Sequence, residues 1–154
     1  MELQKLVVWI GPLLYAVGAI YFVAVSDKGQ RKPVLLGWLV PGLGHWVIGQ
    51  KSRALFFGIQ ICALFLAGLV LSDFRCVSPF DRHPIWGITQ IPGGVLTLVT
   101  AAATSGLMIQ RDNLFYPAGC LYVSVACLLN LVALCDVYDL TEPAAKRALR
   151  KEAA

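Results

Sequence analysis

One histidine and two aspartates stand out, because each lies within or at the end of a long apolar run. His45 follows Pro-Gly-Leu-Gly inside such a run, and an ionisable group at membrane depth raises a functional hypothesis, here haem ligation or proton relay. Haem bound by two histidines would need another in an apolar run, but His83 lies in a polar connection. We therefore expect His45 to hydrogen-bond backbone carbonyls that the adjacent proline and glycines release from helical bonding.

Asp136 and Asp139 form a second candidate group at the end of the last apolar run. They are three residues apart, so they share one face of a helix. Two carboxylates on one face could bind a cation. The basic residues Lys146 and Arg147 follow closely, and solvated or ion-paired carboxylates at the membrane interface are the interpretation we prefer.

Three amide side chains lie inside apolar runs: Gln60, Gln90 and Asn130. Asn130 is near the middle of its run, where an amide commonly hydrogen-bonds to a neighbouring helix and contributes about 1 kcal/mol or less. Gln60 and Gln90 are candidate partners, and we expect structural contacts within the bundle or to another subunit. A polar binding site between helices is the functional alternative.

The sequence contains no recognisable catalytic or metal-binding motif. None of its five cysteines forms a CxxC pair, so zinc or iron–sulfur ligation has little support. P-loop, GxGxxG, HExxH and GxSxG patterns are also absent, although such motifs mark many enzymes. We therefore expect no enzymatic activity and no cofactor, and we expect the cysteines to serve as small packing residues.

The composition indicates a helical membrane protein. Of its 154 residues, 58% are hydrophobic and only 14% charged, whereas about a quarter of a soluble domain is charged. The long apolar runs match spanning helices and are too continuous for the strands of a membrane barrel. The basic residues that give the net charge of +4 border these runs, which favours contact with lipid headgroups and argues against nucleic-acid binding.

We predict an all-α polytopic membrane protein with about five transmembrane helices in one bundle, residues 1–140, and a short basic cytoplasmic tail, residues 141–154. Ser26–Pro33 is predicted to be a polar loop, and Gln50–Arg53 a tight basic turn between the second and third spans. The predicted spans are Leu6–Val25, Val34–Gly49, Ala54–Leu71, Ile85–Met108 and Ala118–Leu134.

Pro-Gly sequences interrupt the second and fourth spans. Proline removes a backbone donor and kinks a helix, and glycine allows a neighbouring helix to approach closely. The second span is short enough to be re-entrant instead of spanning. The break and packing residues are Pro41, Gly42, Gly44 and Gly49 in the second span, and Pro92, Gly93 and Gly94 in the fourth.

The distribution of lysine and arginine predicts the orientation. Five crossings with the N-terminus outside place nine basic residues on the cytoplasmic side and four outside, in agreement with the positive-inside rule. Four crossings, with a re-entrant second element, leave no bias. We therefore favour five crossings with an external N-terminus and a cytoplasmic C-terminus.

Three stretches resemble an uncharacterised family of small bacterial multi-span inner-membrane proteins. PGLGHWVIGQKSRA, residues 41–54, resembles their PGxGHFYLGxxxRG hairpin and, more loosely, the two-helix TM2 domain. The segment around Gln90 and the sequence LYVSVACLLNLVALCDVYD, residues 121–139, are also similar. The chain departs from the pattern at Trp46-Val47 and at Ala126. The resemblance implies the fold and a bacterial inner-membrane location, and it singles out Pro41, Gly42, Gly44, His45, Gly49, Leu121, Tyr122, Asn130 and Asp136.

We expect a structural role, as an accessory or assembly subunit of a larger bacterial membrane complex, with lipids and other membrane subunits as partners. The sequence offers small residues and amides for helix contacts, and no soluble domain. The first alternative is a small oligomeric channel or transporter with His45, Gln90 and Asn130 along its path. The second is a redox subunit that binds haem or quinone.

Overall fold

The computed structural model describes residues 27–77, 84–104 and 113–143. All regular structure in these ranges is helical, which confirms the all-α prediction. The predicted first span, Leu6–Val25, and most of the basic tail lie outside the described residues. The helices are α1 Lys28–Leu39, α2 Leu43–Val47, α3 Lys51–Leu71, α4 Pro84–Gln90, α5 Val95–Ala103 and α6 Tyr116–Leu140, with a 3₁₀ turn Ile91–Gly93 between α4 and α5.

The predicted polar loop before the second span is wrong over its described part, because α1 already begins at Lys28. The backbone N–H of Asp27 donates to Oε1 of Gln30 at 3.1 Å, so Asp27 and Gln30 form a capping box at the helix start. An Asp followed three residues later by Gln is a sequence signal for such a start. Pro33 therefore lies inside α1 and does not begin it.

The Pro-Gly sequences break both helices where the sequence predicts. α1 ends at Leu39, and the chain turns through Gly42, whose φ of +85° favours glycine. In the fourth element, Gly94 has a φ of +60° and lies against the carbonyl oxygen of Trp38, so a Cβ atom there would collide with it. The second break therefore packs directly against the end of α1.

The prediction of about five spanning helices is not supported. In the described ranges, α3 with 21 residues and α6 with 25 residues are long and apolar enough to cross a membrane. The breaks divide the second element into helices of 12 and 5 residues, and the fourth into segments of 7, 3 and 9 residues. Each piece is shorter than the about 20 residues that a membrane crossing needs.

The core lies between α3 and α6, with α6 the more central helix. Ten residues of α6 are buried, against five of α3. The two helices approach closely at Gly68 and Gly119, where a Cβ atom on Gly68 would lie 2.8 Å from the Gly119 carbonyl oxygen. Small residues at a crossing point allow this approach. Beside it, the buried side chains of Phe65 and Val123 belong to one apolar cluster.

Candidate functional site

A buried histidine and a carboxylate meet where α2 packs against α6. His45 lies on α2, directly after the first break, and is 1% exposed. Its Nε2 atom lies 2.9 Å from Oδ2 of Asp136 on α6. The structure therefore gives His45 a carboxylate partner, where the sequence predicts backbone carbonyls. Because Nε2 is engaged by Asp136, this arrangement does not suit haem ligation through that atom.

Arg53 completes the group from the first turn of α3. Its Nη1 atom donates to Oδ1 of Asp136 at 3.2 Å and to Oδ2 at 3.0 Å. The Asp136 side chain is 34% exposed and that of Arg53 is 49% exposed, so the surroundings screen this pair more than the histidine contact. We call His45, Arg53 and Asp136 the polar cluster; it ties three helices together.

An aromatic ring fixes the orientation of the histidine. Phe57 lies one helical turn after Arg53 on α3, and its ring stacks on that of His45 with centroids 5.1 Å apart and planes 20° apart. Phe57 covers a ring face while Asp136 holds Nε2, so the imidazole is held from two directions. Its burial and these contacts suit a fixed structural element better than a group that must reach a substrate.

Side-chain hydrogen bonds hold the second break, and two of them go to carbonyl oxygens of the break itself. Asn130 Nδ2 donates to the Pro92 carbonyl oxygen at 2.9 Å, and Thr97 Oγ1 donates to that of Gln90 at 2.9 Å. The Gln90 side chain donates to the carbonyl oxygen of Cys76 at 3.0 Å. The expected amide–amide contact between Asn130 and Gln90 is wrong, since both amides donate to backbone carbonyls instead.

The polar residues predicted to line a channel are sealed inside the protein. His45, Gln90 and Asn130 are each at most 1% exposed. His45 belongs to the polar cluster, whereas Gln90 and Asn130 contact the second break. The structure thus separates them into two groups. In the part of the chain that is described, no three His, Cys, Asp or Glu side chains are placed to hold a metal ion.

Gln60 lies elsewhere, on the outer surface of α3. It is exposed, whereas Asn130 is buried at the second break, so the predicted contact between them is wrong. Helical periodicity explains the difference, because Ile61 and Phe65 of α3 turn towards the core and the adjacent residue 60 turns outward.

Arg53 and Phe57 are residues of the candidate site that the sequence alone does not identify. Both lie on one face of α3, four residues apart. One available signal is charge balance: Asp136 lies in an apolar helix, and an acid in such a setting needs a basic partner. The sequence alone leaves open which of the basic residues supplies it.

Comparison with known proteins identifies the family but no activity. No curated protein and no solved structure matches the chain. The model of DUF6677, a family of unknown function, matches residues 32–150, which include both helix breaks and all three residues of the polar cluster. This match covers well over half of the sequence, and the chain therefore belongs to the DUF6677 family.

Proposed function

We propose that this chain is an integral protein of the bacterial cytoplasmic membrane with a structural role, as an accessory or assembly subunit of a larger membrane complex. The observation that carries the proposal is the outward face of α3. We call this surface the outer face of α3. Its residues are all exposed: Phe56, Ile59, Gln60, Ala63, Leu66, Ala67 and Val70.

The outer face combines bulky apolar, small and amide side chains. Ile59 and Val70 are 64% and 65% exposed, so this surface suits lipid or another apolar helix. Ala63 and Ala67 are four residues apart and lie on one side of the helix. A pair of small residues at this spacing lets a second helix approach closely. The face therefore has the features of a helix-docking surface.

The amide of Gln60 favours a protein partner over lipid alone. Among the described residues it has no hydrogen-bond partner, and it lies midway along an apolar helix of 21 residues. Hydrocarbon offers an amide no donor or acceptor, so leaving it unpaired there is unfavourable. A polar group on a neighbouring helix supplies the missing bond, which contributes about 1 kcal/mol.

The internal polar groups support a structural role for a different reason. His45 is covered by Phe57 and bonded to Asp136, and Asn130 is bonded to the second break. These groups hold helices together within the chain. Gln60 is the amide of this set that remains available to another protein, and it defines where we expect the partner to bind.

The orientation remains part of the proposal, with the N-terminus outside and the C-terminus in the cytoplasm. The count of basic residues supports it for a chain that crosses five times, with nine on the cytoplasmic side and four outside. A C-terminal green fluorescent protein fusion should be fluorescent, and a C-terminal alkaline phosphatase fusion should be inactive. The reverse pattern contradicts the orientation, and recovery of the chain in the soluble fraction contradicts membrane integration.

The main test is affinity purification from native membranes in a mild detergent, followed by mass spectrometry. We expect stoichiometric recovery of other membrane subunits with the native chain, and their loss with Gln60→Leu. Gln60→Asn keeps an amide and should retain part of the complex. Ala63→Leu should also release the partner by blocking close approach, whereas Val125→Leu, at an exposed position on α6, should not.

The same preparation separates the alternatives. Recovery of the chain alone as a discrete oligomer contradicts the accessory role and supports a channel. A haem absorption band or a bound quinone in the eluate supports a redox subunit instead. Unchanged recovery of the partners with Gln60→Leu and Ala63→Leu contradicts the assigned docking face.

A further inference from the structure

A groove lies between the first helix break and α3. Its volume is about 250 Å³, and its lining includes Val40, Pro41, Trp46, Ala54, Gly58 and Ile59. The break approaches α3 closely, because a Cβ atom on Gly58 would lie 3.3 Å from the Pro41 carbonyl oxygen. The bulkier side chains on either side leave an apolar channel open to the exterior.

A positively charged lysine side chain lies at one end of this groove. The Nζ atom of Lys51 lies 5.7 Å from the centroid of the Trp46 ring, and Trp46 is itself part of the lining. Tryptophan and lysine together are typical of the headgroup level of a membrane. In the described residues Lys51 has no carboxylate partner, whereas Arg53, two residues later, is paired with Asp136.

The start of α3 adds a second favourable feature for an anion at the same place. Lys51 is the first residue of α3, whose first turn contains no acidic residue and whose N-cap residue makes no side-chain capping bond. The Lys51 N–H donates to the Gly49 carbonyl oxygen at 3.0 Å, but the helix dipole still favours negative charge at this end of α3. By contrast, Lys28 at the start of α1 has the capping residue Asp27 beside it.

The cation and the groove lie along one side of α3. Lys51, Ala54 and Gly58 follow the spacing of residues on one helical face. With a rise of 1.5 Å per residue, Gly58 lies about 10 Å from Lys51 along the helix axis. A molecule that fits would therefore carry an anionic group at one end and an apolar chain that extends along α3.

We infer that this groove binds one anionic glycerophospholipid, with its phosphate at Lys51 and the start of α3 and an acyl chain between the break and α3. The inference rests on the proposed membrane location. An apolar helix from a partner or from this chain would fill the groove but would leave Lys51 without a counter-charge. The charge at the groove end therefore favours the lipid.

Native mass spectrometry of the detergent-purified chain tests the inference with phosphatidylglycerol and phosphatidylcholine of identical acyl chains. A basic residue near a lipid surface contributes about 1 kcal/mol. We expect phosphatidylglycerol to bind about fivefold more tightly than phosphatidylcholine, and Lys51→Gln to remove this preference. Lys51→Arg should retain it. Lys28→Gln is the matched control, since it removes the same charge from the start of another helix, and it should leave the preference unchanged.

Trp46 fluorescence locates the bound chain. In a variant with Trp9, Trp38 and Trp86 replaced by phenylalanine, phosphatidylglycerol with brominated acyl chains should quench Trp46 more strongly than brominated phosphatidylcholine at equal mole fraction. Lys51→Gln should abolish the difference. Three results would overturn the inference: equal quenching by the two lipids, an equal effect of Lys28→Gln, or no retained lipid. The last result would mean that protein fills the groove or that the groove holds no lipid.

Neither measurement needs a partner subunit. A negative result therefore does not bear on the proposed accessory role, which the affinity purification tests. Failure of the membrane location would instead be seen earlier, as chain that does not sediment with membranes.

Discussion

Nε2 of His45 lies 2.9 Å from Oδ2 of Asp136, a residue that follows 91 positions later in the chain. The contact links the short helix after the first break to the long central helix. Without it, α2 would have few polar contacts with α6, because α2 has only five residues. The pair therefore fixes the position of the broken element against the rest of the bundle.

The first prediction is that His45 and Asp136 are energetically coupled. Asp136→Asn and His45→Gln should each lower the free energy of unfolding by about 1–3 kcal/mol, because the first deprives the buried imidazole of its charged partner and the second removes the buried imidazole. The double variant should lose less than the sum of the two. Unfolding of the purified chain in detergent measures all three values.

A second pair gives the control for this coupling. Lys51 lies on the same turn of α3 as Arg53 but forms no ion pair with Asp136. Lys51→Gln and Asp136→Asn should therefore combine additively, within about 0.5 kcal/mol. Equal coupling in both pairs would show a general charge effect and contradict a specific contact.

The second prediction concerns the glycine after the second break. Gly94→Ala should lower the free energy of unfolding by about 3 kcal/mol or more, because alanine strains the positive φ and collides with the Trp38 carbonyl oxygen. Gly29→Ala is the control, since a Cβ atom there meets nothing within 4 Å. Its effect should be neutral or stabilising by up to about 1 kcal/mol. A thermal unfolding series that ranks the two variants alike would contradict the described break.

The third prediction separates internal from external amides. Asn130→Leu should destabilise the isolated chain by about 1–3 kcal/mol, because it leaves the Pro92 carbonyl oxygen buried without its donor. Gln60→Leu should change the stability of the isolated chain by less than about 0.5 kcal/mol, since Gln60 is exposed. In the affinity purification, with recovery normalised to the amount of folded chain, Gln60→Leu should reduce partner recovery more than Asn130→Leu does. An Asn130→Leu chain that is fully stable would contradict the internal role.

The fourth prediction concerns the threonine that supports the same break. Thr97→Val should cost about 1–3 kcal/mol, because the Gln90 carbonyl oxygen loses the hydroxyl donor at 2.9 Å. Thr100→Val is the matched control: its hydroxyl donates at 2.7 Å to the Leu96 carbonyl oxygen, four residues earlier in the same helix. That oxygen has the helical bond as well, so the loss should stay within about 0.5 kcal/mol. Equal losses measured by chemical unfolding would contradict the distinction.

Local signals predict the breaks well and the helix limits less well. Proline and glycine act through the backbone of their own segment, so both breaks are legible without knowledge of the rest of the chain. The start of α1 is also local, but its signal is the Asp27–Gln30 capping box, which is easily read as part of a polar loop. Apolarity alone predicts more spans than the described helices support, because it takes no account of how far a break shortens each helix.

Partners of the polar side chains are not predictable in this way. His45 meets Asp136, and Asn130 meets the carbonyl oxygen of Pro92, through contacts that depend on how distant helices pack. Gln60, Gln90 and Asn130 look equivalent in the sequence, since all are amides in apolar runs. Packing makes two of them internal and leaves Gln60 outside, a distinction that requires the rotation of α3 about its axis.

The contact of Gly94 with Trp38 also has a consequence for biosynthesis. Ribosomes complete α1 and its break well before Gly94 is made, so this part of the chain is synthesised without the backbone that packs against it. The hairpin from α1 to α3 must then persist with one side of its break uncovered until α4 and α5 arrive. That interval is the stage at which the break at the end of α1 is most open to other contacts.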